Sequence, residues 1–147
     1  MRLVLYVDEP KAEGVFPELE LLVNALALAL PKFVDTPLGI CNLIIIGEEY
    51  AAELNRTYRQ KDYIPDCLSF PIDSGEGEEE DVLGEVYVCW QRLLTQAEEY
   101  GHSWQRECAW LMTHGILHLL GFSHGDEPSP DMRAVEEAVL KHLSLRR

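Results

Sequence analysis

Three histidines near the end of the chain have the spacing of metal ligands. His114 and His118 are four residues apart, so in a helix their side chains lie one turn apart on the same face. Gly121 follows, and glycine is the residue that most readily ends a helix in a left-handed turn. Such a turn would direct His124 back toward the first two imidazoles. The pattern H-x3-H-x5-H is typical of a zinc site built on a helix.

The predicted ligand set is of the catalytic kind. A single histidine in an apolar helix is usually a hydrogen-bonded core residue, but three make metal binding the better interpretation. Three neutral imidazoles leave the full charge on a divalent ion and a fourth coordination position free. Zinc is the first choice, with nickel, cobalt and iron as alternatives that imidazole also binds. Because such an ion lowers the pKa of bound water to about 7, the pattern predicts a metal-dependent hydrolase.

The residue after the first histidine argues against a peptide substrate. The metalloprotease motif H-E-x-x-H has a glutamate there, which acts as the general base. In this chain the position is Gly115, which cannot transfer a proton. The metal ligands are therefore retained without the acid/base group of a protease, and we expect a different substrate.

The charge of the chain restricts how it can bind nucleic acid. Its 26 acidic and 12 basic residues give a net charge of −14, which argues against a wide basic surface that binds nucleic acid. RNA would have to be bound by a local basic patch. The stretch DSGEGEEED, at residues 73–81, is predicted to be a solvated loop.

Length and composition predict one cytoplasmic domain, spanning residues 1–147. The longest apolar run, residues 21–30, is half the length needed to span a bilayer, so no membrane segment or membrane partner is expected. The opening MRLVLYVDEP lacks the features of a secretory signal. The four cysteines are widely spaced without a C-x-x-C pair, which favours free buried thiols.

The elements that must position the histidines follow from hydrophobic periodicity. The helix at 104–120 is apolar almost all round, so it is expected to be central and buried. Ser103 is expected to cap it, without a reciprocal capping box because Arg106 stands three residues later. The absence of a regular βαβ alternation favours an α+β fold. Strands are predicted at 2–7, 40–47, 67–70 and 83–90, and helices at 17–30, 48–58, 91–100, 104–120 and 132–143.

Three stretches taken together, HGILHLLGFSH, LNRTYR and DCLSFP, resemble the YbeY family of metal-dependent endoribonucleases. The resemblance runs from about Leu54 to His124, with a further similarity in DMRAVEEAVL. It implies a single α+β domain with a small mixed sheet, surrounding helices and a central buried helix that carries the metal ligands. It also implies cleavage of single-stranded RNA in small-subunit rRNA maturation and ribosome quality control. The partners expected are rRNA, the small ribosomal subunit, and a basic ribosomal protein or the GTPase Era.

The resemblance also assigns roles to individual residues. Arg59 in LNRTYR becomes the functional arginine, which suits RNA chemistry because a guanidinium stays charged and binds phosphate through two hydrogen bonds. Arg56 and Lys61 lie near it in the chain and are predicted to extend a substrate-binding patch. The residues predicted to be catalytic are Arg59 and His114, and the predicted metal ligands are His114, His118 and His124.

The chain departs from the family pattern at several positions. Ser123 replaces the usual aspartate before the third histidine, which removes a carboxylate that could orient a metal ligand. Asp66 is retained, and Asp126 and Glu127 are the candidates to replace the lost carboxylate. The other departures are Pro65, Cys67 and Glu85.

Two alternative functions stay open at this point. One is a protease or amidase in which Glu107 or Glu127 serves as a distant base. The other is a ribosome-assembly factor that has no catalytic role and uses its metal for structure. Peptide turnover would support the first alternative. Ribosome association that survives loss of the metal centre would support the second.

Overall fold

The computed structural model describes residues 1–72, 78–122 and 130–145. Within them, four strands form one sheet in the order β1-β2-β4-β3. Strands β1, β2 and β4 run parallel, and β3 pairs antiparallel with β4 at one edge. This is the small mixed sheet that the family resemblance implies. The strands are β1 (Arg2–Val7), β2 (Ile40–Ile46), β3 (Cys67–Pro71) and β4 (Val82–Cys89).

The helices also follow the predicted order. Two short 3-10 segments, at Pro10–Val15 and Leu30–Lys32, flank the first α-helix and were not predicted. Trp90 begins a helix, whereas the sequence pattern placed it at the end of β4. The α-helices of the described residues are α1 (Phe16–Ala29), α2 (Glu48–Arg59), α3 (Trp90–Tyr100), α4 (Trp104–Leu119) and α5 (Pro130–His142).

Helix α4 is the centre of the molecule, as its apolar composition predicts. It contacts α1, α3, α5, β3 and β4, so it is enclosed on nearly every side. The Ser103 hydroxyl accepts a hydrogen bond from the Arg106 backbone N–H at 3.1 Å, which confirms the predicted N-terminal cap. Its fully buried apolar side chains are Cys108, Ala109, Leu111, Met112, Ile116 and Leu117.

Gly115 lets α4 lie directly against the sheet. A Cβ atom at this position would lie 2.5 Å from Val86 Cγ1 and 3.0 Å from Ser69 Oγ. The Ser69 hydroxyl donates a hydrogen bond to the Gly115 carbonyl at 3.0 Å, which joins β3 to the helix. The glycine between the two helical histidines therefore has a packing role, and a larger residue would push the helix off the sheet.

Among the described residues, one helical stretch, Pro10–Lys32, has the length and composition of a membrane span, with 23 residues. This stretch is longer than the apolar run at 21–30 because the 3-10 segments on either side of α1 extend the helical backbone. Leu19, Leu22 and Leu26 on this stretch are buried in the main core cluster. One face of the stretch therefore packs as a core helix does.

Helix α2 packs on the opposite face of the sheet and carries Arg59 at its C-terminal end. The Asn55 side-chain amide donates to the Tyr63 carbonyl at 2.9 Å, which ties the segment after the helix back onto it. Gln60 adopts a left-handed conformation, with φ of 54°, and ends the helix. A small second core holds α2 on the sheet and is formed by Ile46, Ala51, Leu54, Leu68 and Cys89.

Candidate active site

The two helical histidines face one another on successive turns of α4. Their ring centroids lie 4.5 Å apart and their Nε2 atoms 3.0 Å apart. Zinc–imidazole bonds of about 2.0–2.1 Å allow two nitrogens at such a separation to share one ion. The i, i+4 spacing therefore places the side chains of His114 and His118 together on one face of the helix, as the sequence predicts.

The turn after α4 has the predicted geometry. Gly121 adopts a φ of 92°, and its N–H donates to the His118 carbonyl at 3.1 Å. The Phe122 N–H donates to the Leu117 carbonyl at 3.0 Å. These two bonds form a Schellman motif, which ends the helix after the second histidine. The prediction that glycine ends this helix in a left-handed turn is confirmed.

The third predicted ligand, His124, lies outside the described residues, as do Ser123, Asp126 and Glu127. In the part of the chain that the structure describes, no set of three or more His, Cys, Asp or Glu side chains is grouped to hold an ion. The assignment of His124 as a ligand stays a prediction. What the structure provides is the paired imidazoles and the turn that follows them.

Sequence reasoning missed a carboxylate that contacts the histidine pair. Glu136 on α5 is 3% exposed, and its Oε1 lies 2.8 Å from His114 Nδ1. Its Oε2 accepts a hydrogen bond from Trp110 Nε1 at 2.9 Å. A signal was present in the sequence: position 136 lies four residues after Met132 and three before Val139, on the apolar face of α5. An acidic residue on that face requires a buried hydrogen-bonding partner.

Arg59 approaches the histidine pair from the other side of the sheet, and the cavity that they share is called the cleft below. Its Nη2 donates to the Ser69 carbonyl at 2.8 Å, and its guanidinium carbon lies 5.7 Å from the centre of the Phe70 ring. These two contacts with β3 hold the guanidinium at the sheet edge. A cavity of about 310 Å³ is lined by Arg59, Asp66, Cys67, Trp110, His114 and His118.

The other predicted substrate-binding residues lie farther out. Arg56 and Lys61 are exposed, on the last turn of α2 and just beyond it, and neither belongs to the residues that line the cavity. Asp66, the aspartate that is retained from the family pattern, does line the cavity. Glu85 accepts a hydrogen bond from the Tyr87 hydroxyl at 3.1 Å, on the sheet face that carries α2.

The ionisation of the cleft residues favours metal binding over thiol chemistry. Burial, and then the neighbouring His114, lower the pKa of His118, so its ring is neutral at neutral pH and can ligate a metal. Burial raises the pKa of the Cys67 thiol, so this side chain is not a thiolate nucleophile despite its place in the cleft. The four cysteines, all within the described residues, are free thiols as predicted; three of them are buried, and Cys67 is half-buried.

Glu107, the distant base of the protease alternative, belongs to a different cavity. It is 1% exposed, and its two carboxylate oxygens contact the Gln96 amide at 2.8 Å and His102 Nε2 at 2.7 Å. Glu107 lines a second cavity of about 230 Å³, and Trp110 lines both that cavity and the histidine cleft. The carboxylate is therefore engaged in the core and is not a free base beside the histidines.

The fold and the cleft together define a class of protein, an α+β protein in which paired imidazoles and a guanidinium share one cavity. These groups suit a divalent ion and a phosphate. A model of the Endoribonuclease YbeY family matches residues 18–144, and the chain belongs to this family. The match begins well before Leu54, where the resemblance in the sequence motifs begins.

Individual relatives agree with the family match. An Endoribonuclease YbeY from Pelotomaculum thermopropionicum is 48% identical over 111 residues, which cover 72% of this chain and 73% of the relative. Another from Carboxydothermus hydrogenoformans is 39% identical over 130 residues, 88% of each chain. The solution structure of a Thermotoga maritima protein is similar in fold, with a TM-score of 0.62 and 27% identity, covering 97% of this chain and 91% of that one.

Proposed function

We propose that this protein is a metal-dependent endoribonuclease that cleaves single-stranded RNA in small-subunit rRNA maturation and ribosome quality control. Membership of the Endoribonuclease YbeY family supports the reaction class. The observation that carries the proposal is that Arg59 and the histidine pair, far apart in the chain, line one cavity of about 310 Å³. A phosphate group and a metal ion therefore have binding groups in the same cleft.

The metal in this proposal is held by the histidines of α4 and the turn beyond it. His114 and His118 present facing Nε2 atoms, His118 is neutral at neutral pH, and the Schellman turn at Gly121 comes three residues before His124 in the chain. These features fit a histidine-bound ion, with zinc as the first choice and nickel or another first-row divalent metal as an alternative. When bound, such an ion supplies a water of lowered pKa and can polarise a phosphoryl oxygen.

Arg59 binds and stabilises the phosphate. One of its amino groups is fixed on the Ser69 carbonyl at 2.8 Å, which orients the guanidinium without using all five of its N–H groups. The remaining groups donate to non-bridging phosphate oxygens and stabilise the charge that develops there during cleavage. Arg56 and Lys61, exposed at the end of α2, attract the flanking phosphates of the RNA.

Substitution of the two kinds of cleft residue separates metal binding from catalysis. His114→Ala should lose both bound metal and RNA cleavage, because it removes a ligand. Arg59→Ala should retain the metal and lose about 10²–10³ in cleavage rate, the usual cost of removing one charge-stabilising donor. Metal content by mass spectrometry and cleavage of a single-stranded oligonucleotide are the measurements.

Arg133→Ala is the matched control for these variants, because Arg133 is an exposed arginine on α5. It should leave both metal content and cleavage at the wild-type level. If purified His114→Ala protein cut RNA as fast as the wild type, the histidine pair would have no part in the reaction and the proposal would be wrong.

The proposed setting of the reaction is the small ribosomal subunit. The net charge of −14 favours contact with a basic ribosomal protein, and the GTPase Era is a further proposed partner. Co-sedimentation of the protein with small subunits tests this contact. The assembly-factor alternative requires that His114→Ala protein associate with subunits and restore their maturation in cells, whereas the nuclease proposal requires that maturation fail.

A further inference from the structure

The Glu136 carboxylate on α5 is buried beside the histidine pair and engaged at both oxygens. Oε1 lies 2.8 Å from His114 Nδ1, and Oε2 accepts from Trp110 Nε1 at 2.9 Å. The Trp110 ring also stacks on the His114 ring, with centroids 4.9 Å apart and an interplanar angle of 20°. The carboxylate therefore holds the imidazole and also the aromatic surface against which that imidazole rests.

We propose that Glu136 is a positioning residue that fixes the tautomer and orientation of His114 for metal binding. An ionised carboxylate only accepts hydrogen bonds, so the facing His114 Nδ1 must carry a proton. In a neutral ring the lone pair is then on Nε2, the atom that lies 3.0 Å from His118 Nε2. Glu136 thus directs the ligating atom of His114 toward its partner ligand.

The burial of Glu136 supports a role beyond packing. Its neighbours along the same face of α5, Met132 and Val139, are 0% exposed, and Glu136 itself is 3% exposed. A carboxylate in such surroundings is costly unless hydrogen bonds compensate it, and an apolar side chain would fill the space without that cost. The hydrogen bonds with Trp110 and His114 on α4 compensate the burial of the carboxylate, and His114 is a proposed metal ligand.

This role of Glu136 also bears on Ser123, which stands where the family pattern has an aspartate that could orient a metal ligand. Asp66, the retained aspartate, lines the cleft, but the carboxylate that lies 2.8 Å from His114 Nδ1 is that of Glu136. The orienting carboxylate for His114 is therefore supplied by α5, a separate element from the one that carries the histidine. The inference rests on the proposed function, since it assigns Glu136 a purpose at the proposed metal site.

Glu136→Gln and Glu137→Gln form a matched pair for the test. An amide has one acceptor oxygen, so glutamine at 136 leaves either His114 or Trp110 facing an NH₂ group. Glu137 is the next residue of α5, and its side chain is 71% exposed. Zinc affinity, measured by competition with a chromophoric chelator, should fall about 10- to 100-fold in Glu136→Gln and stay at the wild-type value in Glu137→Gln.

A second measurement keeps the inference testable if Glu136→Gln folds poorly. Nitrogen-15 chemical shifts of the His114 ring in metal-free wild-type protein should show the tautomer protonated at Nδ1. In folded Glu136→Gln the same ring should show a mixture of tautomers, which a purely structural role for Glu136 would not produce. A wild-type ring protonated at Nε2 with Nδ1 bare would overturn the inference.

The outcomes also separate this inference from the function on which it rests. If wild-type protein bound no zinc, nickel or other first-row divalent ion, the metal site would be wrong and the inference would fall with it. If wild-type protein bound zinc and folded Glu136→Gln bound it equally tightly, the inference alone would be overturned.

Discussion

At the residue scale, the fold changes the ionisation of His118, one of the side chains that line the cleft. Burial and the neighbouring His114 both lower its pKa from the ordinary value of 6.5. The folded protein therefore binds a proton at this site less readily than the unfolded chain does. Acidification must favour unfolding, because the unfolded state takes up the proton first.

This pKa shift predicts a pH dependence of the metal-free protein. His118 should contribute stability above pH 6.5, and that contribution should be lost as the pH falls through the lower pKa of the folded state. Urea unfolding from about pH 7 to about pH 5 should give a shallower loss of stability in His118→Gln than in the wild type. His142→Gln, at an exposed position on α5, is the control. Equal slopes in wild type and His118→Gln would contradict the prediction.

At the element scale, the approach of α4 to the sheet depends on Gly115. Its missing Cβ leaves room for Val86, whose Cγ1 would otherwise lie 2.5 Å away. Valine is β-branched and stiff, so the clash cannot be relieved by a simple rotation of its side chain. The helix that carries the histidines is thereby packed against the sheet, whose edge strand β3 holds Arg59.

Gly115→Ala should therefore destabilise the protein even though alanine is the better helix former. A Cβ 2.5 Å from Val86 Cγ1 is a severe overlap, so the overpacking cost should lie at about 2–3 kcal/mol; the gain in helix propensity returns about 1 kcal/mol, which leaves a net loss of about 1–2 kcal/mol. Urea denaturation measures it. Gly14→Ala is the matched control, because a Cβ there meets nothing within 4 Å. A Gly115→Ala protein as stable as the wild type would show that α4 and the sheet can separate freely.

At the scale of the whole molecule, the net charge of −14 opposes the approach of RNA, whereas the cleft attracts it. At about 0.01 M ionic strength the Debye length is about 30 Å, so the RNA experiences the whole negative molecule. At about 0.15 M it is about 8 Å, so the RNA experiences mainly the charges nearest to it, which in the proposed function are Arg56, Arg59 and Lys61. Added salt therefore first screens the repulsion between the RNA and the acidic molecule, and then weakens the attraction between the RNA and the cations near the cleft.

We expect kcat/KM on a single-stranded RNA to rise and then fall as ionic strength increases. A nuclease with a broad basic surface would show a continuous fall, because every added ion weakens its attraction for phosphate. The Arg56→Gln variant should show a shallower falling limb, by about one unit of log–log slope, since it removes one phosphate contact. A continuous fall in the wild type would show that the local cations outweigh the net charge at all salt concentrations.

The sequence by itself determined the features that depend on neighbours in the chain. The pairing of His114 with His118 follows from helical periodicity, and the turn at Gly121 follows from the freedom of glycine at positive φ. The strands and helices were predictable for the same reason, because hydrophobic period and capping are local properties.

Only the tertiary structure decided which distant side chains meet this pair. Arg59 reaches the cleft because α2 packs across the sheet from α4 and the strand order places β3 at the edge beside the histidines. Glu136 reaches His114 because α5 packs on α4 with its acid facing inward. Neither contact follows from spacing in the chain, since both depend on how buried surfaces of separate elements fit together.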